Sequence, residues 1–212
     1  MNESITPRWV TNIIHTCMGL QRGEKIIFIM DEPLDHARNA LLTEAAKANP
    51  SELWSYTFPN AARPFSEYPP QLLTTATQMD VIVLLLASLD HVKEHSALHA
   101  AVQTIIKSNA RTGLGAFIDQ SILDCELSAD YEQIAAFSSA LAEQLRGSSS
   151  ARVTTALGTD LRMSLAGREW KTDTGILRGK NVFGNLPAGE TYIAPIEDSA
   201  EGLLVVDKCF PG

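Results

Sequence analysis

The 212-residue chain is poor in the features that mark secreted, membrane-spanning or nucleic-acid-binding proteins. Its three cysteines, Cys17, Cys125 and Cys209, are scattered and odd in number. That excludes a disulfide framework and a Cys-x-x-Cys zinc site, and it suits a reducing cytoplasm. No apolar run approaches the length of a membrane span, since the longest, Val81 to Ala87, has the size of one buried strand. The opening MNESITPRWV lacks the basic-then-apolar pattern of a secretory leader. Positive charge is short as well: 17 Lys and Arg stand against 25 Asp and Glu, a formal charge of -8. Neither nucleic acid nor an anionic membrane is therefore an expected partner. What remains, 45% hydrophobic and 20% charged residues, is the balance of an ordinary globular protein.

Local signals alternate in kind up to about residue 148. A helix is predicted over Thr6 to Leu20, with Val10, Ile13, Ile14 and Cys17 sharing a face, and Gly23 ends the pattern. Lys25 to Met30 reads as a buried strand. A helix follows from Asp31 or Asp35 to Ala48, before Asn49-Pro50, and then a strand at Leu53 to Phe58. After the proline-rich Pro59 to Pro70, the pattern predicts a helix at Gln71 to Gln78 and a strand at Asp80 to Leu86. Helix Asp90 to Ser108, strand Gly115 to Ile118 and helix Tyr131 to Arg146 complete the series. Such alternation implies an α/β, Rossmann-like doubly wound parallel sheet, assigned to residues 1–148. Past Gly147-Ser148-Ser149-Ser150, short alternating runs joined by tight turns predict antiparallel hairpins, the beginning of a β-rich (α+β) domain over 151–212.

Several chemistries lack their signatures. The turn after the first strand, Met30-Asp31-Glu32-Pro33, is acidic and has no glycine, so it would repel a dinucleotide's pyrophosphate. No Walker pattern and no Gly-x-Ser-x-Gly elbow is present. His91-Val92-Lys93-Glu94-His95, with His99 a turn further, matches the His-x-x-Glu-His string of inverted zinc peptidases, whose ligands share a helix face. The competing and favoured reading is a polar face on a helix that covers a sheet, with Asp90 as its N-cap. The adjacent acids Asp31/Glu32 and Glu197/Asp198 diverge in an extended chain and read as solvated edges.

One acid stands apart. Pro187 and Gly189 build a stiff turn that delivers Glu190 to the mouth of a short strand, Thr191-Tyr192-Ile193. On these grounds alone a solvent-facing hairpin acid competes with a metal ligand. The segment Asn185 to Pro195, NLPAGETYIAP, resembles the Asn-(Ile/Leu)-Pro-x-x-Glu-(Val/Ile)-(Phe/Tyr)-x-x-Pro segment of the dinuclear metallo-aminopeptidases typified by aminopeptidases T and S. Gly158-Thr159-Asp160-Leu161 with Trp170 resembles the same family's hairpin, and the preceding α/β region fits its N-terminal domain.

That resemblance implies that Glu190 is a metal ligand in a site for two divalent ions (Zn, Co, Mn or Mg). It further implies a cytoplasmic homodimer that removes N-terminal residues from peptide substrates. The family's remaining ligands have no counterpart before Gly212, so the chain is expected to be the first half of a longer protein, without aminopeptidase turnover on its own. A second resemblance competes. Asp198-Ser199-Ala200-Glu201-Gly202 and the Leu-Leu-Val-Val-Asp that follows are similar to a segment of the 2,5-dihydroxypyridine dioxygenases, which share the scaffold. Those enzymes hold one non-haem iron by two histidines and a carboxylate. A degenerate scaffold without chemistry is the third alternative.

Overall fold

The computed structural model describes residues 6–89 and 92–207. Strand β1 (Lys25–Asp31) lies between β2 (Glu52–Phe58) and β3 (Val81–Leu85), all parallel. Successive side chains of a strand face opposite ways, and here both ways are buried. Ile26, Phe28 and Met30 of β1, with Val81, Val83 and Leu85 of β3, enter one apolar core; Ile27, Ile29, Ile82 and Leu84 enter another. The helices follow from this demand for two covers. On the first face lie α1 (Arg8–Thr11), its wide-turned continuation Asn12–Cys17, and α2 (Asp35–Lys47). The second is covered by α3 (Pro70–Ala76) and α4 (Val92–Ile105). Buried Asn12 spends both amide protons on the carbonyls of Leu127 and Ala129, each at 2.8 Å.

The sheet extends through β4 (Arg111–Gly115). Next come α5 (Gln120–Asp124), whose Ile122 N–H is capped by the Asp119 carboxylate at 2.9 Å, and α6 (Tyr131–Gln144). An antiparallel hairpin follows, β5 (Ser150–Thr154) with β6 (Asp160–Ser164), and then β7 (Lys171–Asp173). The chain next returns to the parallel sheet as β8 (Phe183–Asn185), giving the order β2-β1-β3-β4-β8. Finally β9 (Glu190–Tyr192) joins β7, and β10 (Glu201–Leu203) adds to β6. The chain divides into two compact units: Met1–Ala135 with Asp173–Gly189, and Ala136–Thr172 with Glu190–Gly212.

The mixed α/β architecture with a central parallel sheet is the one read from the sequence. Two strands differ. The fourth strand occupies Arg111–Gly115, where the sequence pattern predicts Gly115 to Ile118. Its glycines hide it, because they serve close packing: a Cβ on Gly113 would lie 2.5 Å from Leu186 Cδ1, and one on Gly115 would lie 2.3 Å from the Leu186 carbonyl oxygen. The partner in that approach, Leu186, directly follows β8, which joins the parallel sheet from within a stretch read as hairpins. Three residues with a central glycine carry no strand signal, and Gly184 is itself held against Leu177.

Candidate functional site

In a doubly wound sheet, a crevice opens at the C-terminal ends of the strands where the winding direction reverses. From β1 the chain passes outward to β2, and from β3 the other way to β4, so the reversal lies between β1 and β3. Asp31 ends β1 at that point and has no exposed surface. Arg63, from the proline-rich segment, places Nη2 2.6 Å from Asp31 Oδ2, and its Nη1 donates to Glu94 Oε2 of α4 at 2.8 Å. The same Nη1 donates to the Ser88 carbonyl at 3.2 Å, and the Ala87 N–H donates to Asp31 Oδ2 at 2.7 Å. Two elements, β1 and α4, and the turn after β3 are thereby tied to one guanidinium.

Aromatic side chains wall this cluster. Arg63 lies over the Phe65 ring at 5.3 Å; Phe65 stacks on Phe58, and Tyr68 meets Phe58 edge-on at 4.9 Å. Burial pushes the Asp31 carboxyl above the usual carboxylate range, against the opposing pull of Arg63 and the Ala87 N–H. Burial, with the negative charge of Asp31, pushes the Tyr68 hydroxyl up strongly. The reading of Asp31/Glu32 as a solvated edge holds for exposed Glu32 and fails for Asp31. An acid closing an otherwise apolar central strand was the signal available.

The His-x-x-Glu-His string does not act as one face. Glu94 points inward to Arg63, whereas His95 and His99 are exposed; Asp90 and His91 lie outside the described residues. Glu190 opens β9, is exposed, and follows Gly189 at φ +147°, a conformation that side chains resist. The cleft nearest in sequence, about 340 Å³, is lined by Tyr192, Ile193, Arg168 and Lys171 among others, and Glu190 is not among its lining residues. A larger open cleft of about 510 Å³ in the same unit holds Arg146, Arg168 and Trp170. Both arginines there are already paired, with Glu143 and Glu197.

Metal-ligating side chains are dispersed. His15 binds Glu44 at 2.9 Å, and His36 meets Gln120 at 3.0 Å. Among the described residues no three His, Cys, Asp or Glu side chains gather as a metal site. These residues therefore fit neither a two-histidine, one-carboxylate iron site nor a dinuclear one.

Fold and edge together define an α/β scaffold of the doubly wound class, joined to a small β unit and lacking the turn that would bind a nucleotide. The profile of the 2,5-dihydroxypyridine 5,6-dioxygenase (NicX) family matches residues 8–209, and the chain belongs to that enzyme family. Among solved structures it is similar to 2,5-dihydroxypyridine dioxygenase from Pseudomonas putida KT2440. That match has a TM-score of 0.66 and 15% identity, over 92% of this chain and 57% of that one. It is also similar to wild-type AmpT from Thermus thermophilus, with a TM-score of 0.65 and 14% identity, over 92% of this chain and 62% of that one. At such identities the likeness shows the fold, and the chain spans 57% and 62% of these two relatives. No curated protein matches the chain.

The family match overturns the aminopeptidase reading, with its hydrolase and protease chemistry, in favour of the dioxygenase alternative. The AmpT likeness supports a distant structural relationship only. The misleading segment has a structural task of its own: its Pro187 and Gly189 carry the chain from β8 into β9. Among the described residues no helix is long and apolar enough to cross a membrane.

Proposed function

We propose that the protein serves in the dioxygen-dependent opening of a hydroxylated pyridine ring. The observation that carries this reading is the family match across residues 8–209. In the named reaction 2,5-dihydroxypyridine takes up one dioxygen, the C5–C6 bond breaks, and both oxygen atoms stay in the product, so no external reductant is needed. A single non-haem iron would supply the dioxygen chemistry. No complete ligand set for it gathers among the described residues. Under this reading Glu190 is not required as a metal ligand, since a mononuclear site needs fewer carboxylates than a dinuclear one.

The test is turnover by the protein expressed from its native gene and supplied with ferrous iron. Loss of the 2,5-dihydroxypyridine absorbance with equimolar oxygen uptake supports the proposal. An iron-loaded protein that leaves ring and oxygen untouched would refute it. The proposal includes a homodimer, which sedimentation velocity would register as twice the chain mass; a monomer at all concentrations would remove that part.

A further inference from the structure

The charges at the sheet's switch point do not balance. Asp31 and Glu94 bring two carboxylates; among the described residues Arg63 is the only cation paired with either. The side chains of Asp31 and Glu94 are 0% and 1% exposed, so one negative charge is left over in a desolvated place, an arrangement that proteins compensate. Arg63 carries one charge and neutralises one of the two. Its Nη1 is shared between Glu94 Oε2 and the Ser88 carbonyl, and its Nη2 sits against Asp31 Oδ2 as an ion pair outside hydrogen-bond alignment.

Among the described residues three oxygens of this cluster find no partner: Asp31 Oδ1, Glu94 Oε1 and the Tyr68 hydroxyl. Tyr68 is an independent sign of a ligand. It is 3% exposed, its ring is fixed edge-on between Phe58 and Phe65, and its hydroxyl lies within electrostatic reach of Asp31, Arg63 and Glu94. A buried phenol normally finds a hydrogen-bond partner. Here the described protein groups provide none.

We propose that Asp31, Glu94 and Tyr68 form a binding site for one small monovalent cation, sodium, potassium or ammonium, at the switch point of the parallel sheet. A single positive charge restores neutrality against the residual negative one, and hard oxygens are the ligands such ions take. A divalent ion is the poorer match. Among the described residues no third acidic or histidine side chain joins the cluster, so too few charged ligands are available to repay its dehydration, and the guanidinium repels double charge more strongly. The bound ion would tie the end of β1, the first turn of α4 and the proline-rich segment together. This inference does not depend on the dioxygenase reading.

The test compares thermal melting of the protein at one ionic strength in sodium, potassium, ammonium and choline chlorides. The expected result is a saturable rise with at least one small cation, on the order of 5 °C at a hundredfold excess over its dissociation constant, and none with choline. Tyr68→Phe, which keeps every charge, and Glu94→Gln should each lose that ion-specific rise. Should Glu94→Gln fail to fold, Tyr68→Phe carries the comparison. Crystals soaked in thallium(I) should show an anomalous peak in contact with Asp31, Glu94 and Tyr68. Equal melting in all four salts would overturn the site and leave a proton to balance the cluster. An ion-specific rise that persists in Tyr68→Phe would place the ion elsewhere and overturn it too.

Discussion

The two units spend the same amino acids differently. In the first, Val81 to Leu85 of β3 are all fully buried, and the apolar side chains of β1 vanish into cores on both faces. In the second, Val153, Leu203, Leu204 and Val206 keep 46%, 59%, 62% and 64% of their surface. That unit is organised by polar contacts. Arg152 grips Asp160 with two bonds of 2.7 Å across the β5–β6 hairpin; the Trp170 indole donates to Ser148 at 2.9 Å, and the Val205 N–H to the buried Thr159 hydroxyl at 3.0 Å. Alternating apolar residues specify a strand; whether they stabilise it depends on a layer that covers them.

The contrast breaks most sharply on substitution. Leu84→Ala should cost about 3 to 5 kcal/mol in chemical denaturation, because it empties a filled site in the core. Leu204→Ala should change stability by roughly 0.5 kcal/mol or less, since its side chain lies mostly in water. Equal costs would mean that the second unit is covered in solution. Glycines give a smaller version of the same comparison. Gly115→Ala must displace backbone at Leu186 and should cost about 2 to 3 kcal/mol. Gly167→Ala, with nothing within 4 Å but a φ of +72°, should cost about 1 kcal/mol from backbone conformation alone.

Acid sharpens the comparison further. Lys47 and His15 hold the Glu44 carboxyl below its usual range, and Arg152 does the same for Asp160. A depressed folded-state pKa gives stability that is present above the ordinary carboxylate range and lost as pH falls through the folded value. Glu44 is nearly enclosed, so Glu44→Gln should flatten the acid limb of a stability–pH curve visibly. Asp160 is about half exposed, with a side-chain figure of 49%, and solvent screens its pair, so Asp160→Asn should leave that limb almost unchanged. The smallest effect belongs to Glu190→Gln, which should shift stability by about 0.5 kcal/mol or less and leave ring-opening turnover intact. Loss of iron or of turnover in that variant would show Glu190 to be a ligand.

How much of this was legible follows from where each signal is written. The central strands and their helices are local: Lys25 to Met30 and Val81 to Leu85 announce themselves by apolar runs between turn residues. Strands β4 and β8 are not, because their glycines make room for Leu186 and Leu177, distant in sequence from β4 or outside the strand, and look like breakers when read along the chain. The switch-point cluster was hidden for the same reason. Asp31, Arg63 and Glu94 lie 32 and 31 residues apart in turn, and nothing in a linear pattern brings them to one guanidinium. Glu190 is the opposite case, a motif conspicuous along the chain whose proline and glycine carry the turn into β9.

Isotope labelling tests the central assignment most directly. The protein from its native gene, loaded with ferrous iron and given 2,5-dihydroxypyridine under ¹⁸O₂, should release an opened-ring product carrying both labelled atoms, with one dioxygen consumed per ring. A product whose new oxygen comes from water, or an unopened ring beside a hydrolysed aminoacyl reporter, would contradict the account.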